Sequence, residues 1–113
     1  MGYWCCVQSE PRREGAAQHF LSLAGYETYL PRLRLFRPRR GRKVAINPPL
    51  FPSYLFVLIT VGWWSVRWSP GVVRLLTAGG DAPMPVPDTL IAEIRAREGS
   101  GRASASARRF APR

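Results

Sequence analysis

Acidic residues, cysteine and histidine are all scarce in this 113-residue chain. Seven Asp and Glu face seventeen Lys and Arg, which leaves a formal charge of +10 and an isoelectric point near 11.2. A field of that sign attracts polyanions and repels a like-charged copy, so nucleic acid is the first partner to consider and a monomer is expected. The few carboxylates are scattered, no Gly-rich phosphate loop follows a strand and nothing pairs a nucleophile with His19, so the residues do not describe an enzyme. Cys5 and Cys6 are adjacent and point to opposite faces of a strand, which excludes an ordinary disulfide between them. Together with the single His19 they fall short of a zinc ligand set, and no metal and no cofactor is expected. No apolar run of about 20 residues is present, nor an amphipathic helix with a cationic face, so no membrane contact is expected. The N-terminus turns charged too early for a signal peptide, which together with reduced thiols implies a cytoplasmic protein.

What is present describes a globular fold. Hydrophobic residues make up 46% of the chain and aromatics 12%, and this length suits one domain with a modest core. Tyr3 to Gln8 reads as a first strand. A helix is expected from Ser9 or Glu10, with Pro11 in its first turn, an apolar stripe of Ala16, Phe20, Leu21 and Leu23, and Gly25 as its stop. Tyr26 to Leu35 suits an edge or bulged strand broken by Pro31. Residues 36–43 carry Arg37, Arg39, Arg40, Arg42 and Lys43 with Pro38 and Gly41, too charged to bury and too punctuated for regular structure, and read as a hairpin arm. Val44 to Ile46 is expected to resume the sheet, Tyr54 to Ile59 forms the longest apolar strand, and Trp63 to Trp68 forms a short helix or turn. Val72 to Leu76 is a further strand, and a second helix opens at Pro87 or Asp88 and ends at Gly99 with Leu90, Ile91 and Ile94 on one side. Residues 1–98 then form the domain, and 99–113 form a frayed basic tail. The order implies an α+β fold with an antiparallel sheet of about four strands and the helices on one face, a ferredoxin-like or RNP-like plait.

The run PPLFPSYLFVLI at 48–59 is the most informative stretch. Leu50, Tyr54, Phe56 and Leu58 point to one side of a strand, while Phe51, Leu55, Val57 and Ile59 point to the other, so neither face suits water. If the helices cover only one face, the side with Tyr54 and Phe56 is left as a docking surface beside the basic arm.

The ordered blocks YWCCVQSEPRREGAAQHFL, YLPRLR, the basic hairpin, PLFPSYLFV, VRWSPGV and PVPDTLIAEI resemble the N-terminal domain of the NusG family of transcription elongation factors, over about residues 3–98. Within it the chain is most similar to the RfaH branch. The resemblance implies a transcription elongation and antitermination factor that seats the clamp helices of the largest RNA polymerase subunit in an apolar cavity. It also implies a basic surface toward upstream and non-template DNA of the transcription bubble, and no catalysed chemistry. Tyr54, Phe56 and Ile91 stand where the family's clamp-helix contacts lie, with Phe51, Pro52 and Ile94 adjoining. Such an aromatic groove would accept a helical tip by burial. Plain core packing is the competing role for Phe51, Ile94 and Tyr54. Arg40 and His19 match DNA-facing positions, with Arg12 and Arg13 close by in sequence and Arg37, Arg39, Arg42 and Lys43 in the same arm.

The chain departs from the RfaH pattern in three places. Gly62, Trp63, Trp64 and Ser65 replace a histidine and threonines that touch the second-largest polymerase subunit, and Pro70 replaces an arginine. These tryptophans could stack on unpaired bases, or Trp63 or Trp68 could simply close the core. Family members continue into a KOW β-barrel, whereas this sequence stops at Arg113 with no such barrel, so either it is a fragment or natural short form, or the partner functions of that barrel are missing. The alternative function is a free-standing module for single-stranded RNA or DNA, although the aromatic strand lacks the Arg-Gly-Phe-Gly pattern of RNA-recognition folds.

Overall fold

The computed structural model describes residues 2–99 and is α+β throughout. The tail expected beyond Gly99 lies outside the described residues. Strand β1 (Tyr3–Ser9) leads to helix α1 (Glu14–Leu23), and β2 (Glu27–Tyr29) is followed by the hairpin strands β3 (Leu35–Arg39) and β4 (Arg42–Ile46). The apolar strand β5 (Tyr54–Ile59) precedes a single 3₁₀ turn at Val66–Trp68, and β6 (Val72–Leu75), the short β7 (Pro85–Val86) and helix α2 (Asp88–Gly99) complete the domain. The main sheet runs β2-β5-β1-β6, with β7 also on β1. Its strand pairings are all antiparallel.

The β1–β5 pair is the centre, with Tyr3 opposite Ile59 and Gln8 opposite Tyr54. Alternation along both strands sends Cys5, Val7, Leu55, Val57 and Ile59 into one cluster with Ala17 and Leu21 of α1. Trp4 and Phe56 enter a second cluster with Ile91 and Ile94 of α2. The two helices therefore cover opposite faces of the sheet, which corrects the expectation that both lie on one. Both faces of β5 are apolar, and leaving the second one wet would forfeit roughly 25 cal/mol for each Å² of apolar surface that α2 removes from water.

Local geometry corrects several further expectations. Pro11 belongs to a turn before α1: the Arg13 N–H donates to the Glu10 carbonyl at 3.0 Å, and Arg12 between them has φ +63°. Proline second and a positive φ third is the type II arrangement, so α1 starts only at Glu14. Its buried side is Glu14, Ala17 and Leu21, whereas Phe20 and Leu23 of the expected stripe are exposed. Val44 to Ile46 does not rejoin the main sheet but pairs with β3 in a separate ladder, so residues 36–43 are more regular than their charge suggested. Arg40 and Gly41 connect the two strands with φ of +52° and +77°, the type I′ turn whose twist matches a hairpin.

Phe51 is buried with Phe56 rather than across the sheet from it, because a second turn intervenes. The Tyr54 N–H donates to the Phe51 carbonyl at 3.0 Å with Pro52 second and Ser53, φ +70°, third. That turn is tied down twice: the Ser53 N–H donates to Glu14 Oε2 at 2.7 Å, and the Ser53 carbonyl accepts from the Ser9 N–H at 2.8 Å.

Helix α2 presents Ile91, Ile94, Arg95 and Glu98, one helical stripe, to the sheet side of the molecule. The Arg95 guanidinium lies 4.7 Å from the Tyr29 ring centre and 5.3 Å from that of Trp4. Glu98 accepts from the Tyr29 hydroxyl at 2.6 Å and from the Arg32 N–H at 2.7 Å. Burial, and then the adjacent Glu98 carboxylate, push the Tyr29 phenol well above its ordinary value.

Glu98→Ala is expected to lower the unfolding free energy by about 1–3 kcal/mol, because two donors lose an ionised acceptor. Urea unfolding at neutral pH measures it. The raised Tyr29 value also sets a direction: its stabilising share is complete below a tyrosine's ordinary value near 10 and is lost as pH rises through the higher folded value. The alkaline loss of stability should therefore be smaller in Glu98→Ala than in the parent.

Candidate functional site

The apolar candidates lie together, but not as an open groove. Phe56 is 6% exposed, Phe51 3%, Ile91 2% and Ile94 1%. Phe51 meets Phe56 edge-on at 6.2 Å between ring centres, and Tyr29 stacks on the same ring at 6.3 Å. These residues are core, packed by α2. Tyr54 is half-buried at the start of β5, and Pro52 is exposed in the turn before it. Around the sealed cluster runs a border of half-buried apolar side chains that includes Cys6, Leu33, Tyr54, Leu58 and Leu90.

The basic candidates fall into two places. Arg12 and Arg13 sit in the turn before α1 and His19 on the helix itself, all exposed, with His19 edge-on to Phe20 at 5.3 Å. Arg37, Arg39, Arg40, Arg42 and Lys43 are exposed along the hairpin. Its register puts Arg39 directly opposite Arg42, Arg37 opposite Val44 and Pro38 opposite Lys43. Alternation then gathers Arg37, Arg39 and Arg42 on one face with Val44 and Ile46, and turns Lys43 to the other. The same residues line shallow hollows of about 350 and 390 Å³.

Guanidinium groups present planar forks that match phosphate oxygens, so this face suits a row of phosphates rather than a single small anion. Two like charges directly opposed across a ladder are destabilising by themselves. An anion between them reverses the sign of that contribution.

A family model described as "Transcription termination factor nusG" matches residues 2–95. The chain belongs to the NusG family. A solved structure of NusG from Thermotoga maritima, titled "Domain interaction in Thermotoga maritima NusG", is 23% identical with a TM-score of 0.61, and the match covers 88% of this chain and 59% of that one. This NusG-family chain thus shares its fold with rather more than half of that longer chain. No curated protein sequence matches it.

Among the described residues no three His, Cys, Asp or Glu side chains gather in a group that could hold a metal ion. Both thiols are free, and burial pushes each up to about 12. No helix among them is long and apolar enough to cross a membrane. The sequence reading overlooked Trp4, Tyr29, Arg95 and Glu98, which hold α2 over the apolar cluster. The sequence placed Leu90, Ile91 and Ile94 on one side of α2; Arg95 and Glu98 follow on the same helical stripe at positions 95 and 98.

Arg42→Glu is expected to raise hairpin and domain stability by about 0.2–1 kcal/mol, since it turns a like-charge cross-strand pair into an opposite one. Thermal unfolding at low salt measures the effect, which should fade as salt is added.

Proposed function

We propose that this domain is a transcription elongation factor of the antitermination kind, a non-catalytic protein that binds RNA polymerase and the DNA of the transcription bubble. The observation that carries the reading is the family match over residues 2–95. The largest-subunit clamp helices are the proposed polymerase contact. Tyr54, Pro52 and the half-buried border around Leu33 and Leu90 supply the contacting surface, while Phe51, Phe56, Ile91 and Ile94 support it from beneath. A half-buried apolar rim loses its remaining water when a helical tip covers it, and an anchor such as Tyr54 brings both area and a hydroxyl. Arg37, Arg39, Arg40 and Arg42 on the hairpin grip duplex phosphates, with Lys43 on its other face and Arg12, Arg13 and His19 as a second basic patch. The domain then acts by bridging polymerase and DNA, which disfavours the rearrangements of pausing.

Tyr54→Ala combined with Leu90→Asp is expected to abolish capture of core RNA polymerase with an unchanged circular-dichroism spectrum. Retained capture would refute the rim assignment. Phe56→Ala behaves differently: it leaves a cavity and lowers stability by about 3–5 kcal/mol. The double variant Arg39→Ala and Arg42→Ala should still capture polymerase but bind duplex DNA more weakly, its salt slope shallower by about 0.9 for each phosphate that it no longer neutralises. A free-standing nucleic-acid module would show no polymerase capture in any variant.

A further inference from the structure

The hairpin arm is built in a way that favours one part of a duplex over the others. Its base is fixed to the body of the domain. The Leu33 N–H donates to the Pro48 carbonyl at 2.8 Å, the Leu50 N–H to the Pro31 carbonyl at 2.7 Å, and Arg32 Nη1 to the Asn47 carbonyl at 2.9 Å. From there five cross-strand pairs, Leu35 with Ile46 through Arg39 with Arg42, run out to the two-residue turn. At strand rise they reach roughly 17 Å, the length of about five base pairs.

The two faces of this ribbon differ in chemistry. One carries Arg37, Arg39 and Arg42 beside Val44 and Ile46, and these residues border the hollows of about 350 and 390 Å³. The other carries Phe36, Pro38, Lys43 and Ala45, with a single cation among them. Between Leu35 and Ile46 there is no Asn, Gln, Asp, Glu, Ser or Thr. The side chains that pair bidentately with adenine or accept from cytosine in the major groove are therefore absent from the arm, and cations alone can meet a base edge.

A duplex offers such cations two places: guanine edges in the major groove, and the minor groove where A·T pairs narrow it and deepen its negative potential. The register favours the second. Arg39 and Arg42 stand directly opposite each other, so their Cβ atoms are about 5 Å apart and their like charges leave the ribbon together. Guanines would offer neutral acceptors to each fork separately, whereas a narrow minor groove surrounds both cations with phosphates on two sides. Guanidinium groups are also weakly hydrated, which lowers the cost of entering a confined groove. The exposed Val44 beside them suits the apolar deoxyribose edges that wall it.

We propose that the arm reads the minor groove: Arg39 and Arg42 enter it at A·T-rich steps, Val44 lies on its sugar wall, and Arg37 and Arg40 hold the flanking phosphates. This rests on the reading that the arm grips duplex DNA, and adds which groove it enters and which base pairs it favours. The N2 amino group of guanine projects into the minor groove and A·T pairs lack it, so G·C pairs obstruct the site.

The test measures binding of the full chain, at one salt concentration, to three labelled duplexes that differ in a central block of about one helical turn: A·T, G·C or inosine-cytosine pairs. Inosine keeps the major-groove edge of guanine and lacks the N2 amino group, so its minor groove is that of A·T. The A·T and inosine duplexes are expected to bind alike, each about 5-fold or more tighter than G·C. Arg39→Lys with Arg42→Lys, which keeps the charge and removes the forks, should retain binding to G·C and lose the preference. Lys43→Ala, on the opposite face, should weaken all three duplexes alike and keep the preference. G·C and inosine duplexes bound alike and more tightly than A·T would make the arm a major-groove guanine reader and overturn the proposal. Three equal affinities overturn it too, leaving the arm a phosphate grip, and so does a preference that survives the double Lys variant. Absence of binding to every duplex overturns the DNA reading itself, a failure distinct from equal binding to all three.

Discussion

The arrangement depends on the pairing of β1 with β5, two adjacent strands whose side chains are apolar on both faces. A sheet with such a centre needs cover above and below, and the chain provides one helix for each side. α1 meets Cys5, Val7, Leu55 and Val57 through Ala17 and Leu21. α2 meets Trp4 and Phe56 through Ile91 and Ile94. Once both faces are spent on stability, surface for partners remains at the borders of the sheet and in the connections between strands. The hairpin is one such connection.

The cover on the second face is held as much by polar as by apolar contacts. Arg95 near the rings of Trp4 and Tyr29, and Glu98 accepting from Tyr29 and from the Arg32 backbone, pin the C-terminal half of α2 to β1, to β2 and to the segment that follows β2. Cation–π attraction is stronger where water is partly excluded, and an ionised acceptor strengthens its hydrogen bonds. The same helix thus seals the apolar cluster and sets the position of its border, including Leu90 at the first turn.

Much of this was legible in the sequence. The unbroken apolar run from Tyr54 to Ile59 announced the central strand, and Asp88 with Gly99 bracketed α2 where it lies. The Arg-Gly pair at 40–41 sits where a two-residue hairpin needs positive φ. What failed was conformational rather than compositional. Pro11 and Pro52 each occupy the second position of a turn whose third residue, Arg12 or Ser53, is not glycine, so neither turn carried its usual signature. The Ser53 turn swung Phe51 to the side of Phe56, against the simple alternation. Phe51, Phe56, Ile91 and Ile94, expected to line a groove beside Tyr54, are instead buried under α2, a helix held down by Arg95 and Glu98, whose partners on Trp4, Tyr29 and Arg32 exist only through the fold. The family itself was readable from its ordered blocks, since those reflect the whole topology rather than any one contact.

Among the described residues the two hairpin strands pair with each other and not with the main sheet, and their turn closes in two residues. Two residues added to each of its strands would extend its reach by roughly 7 Å while leaving every inward and outward position unchanged. Length and charge of this arm are therefore free to diverge among relatives without any adjustment in the core, and a designer could tune its reach by editing the arm alone.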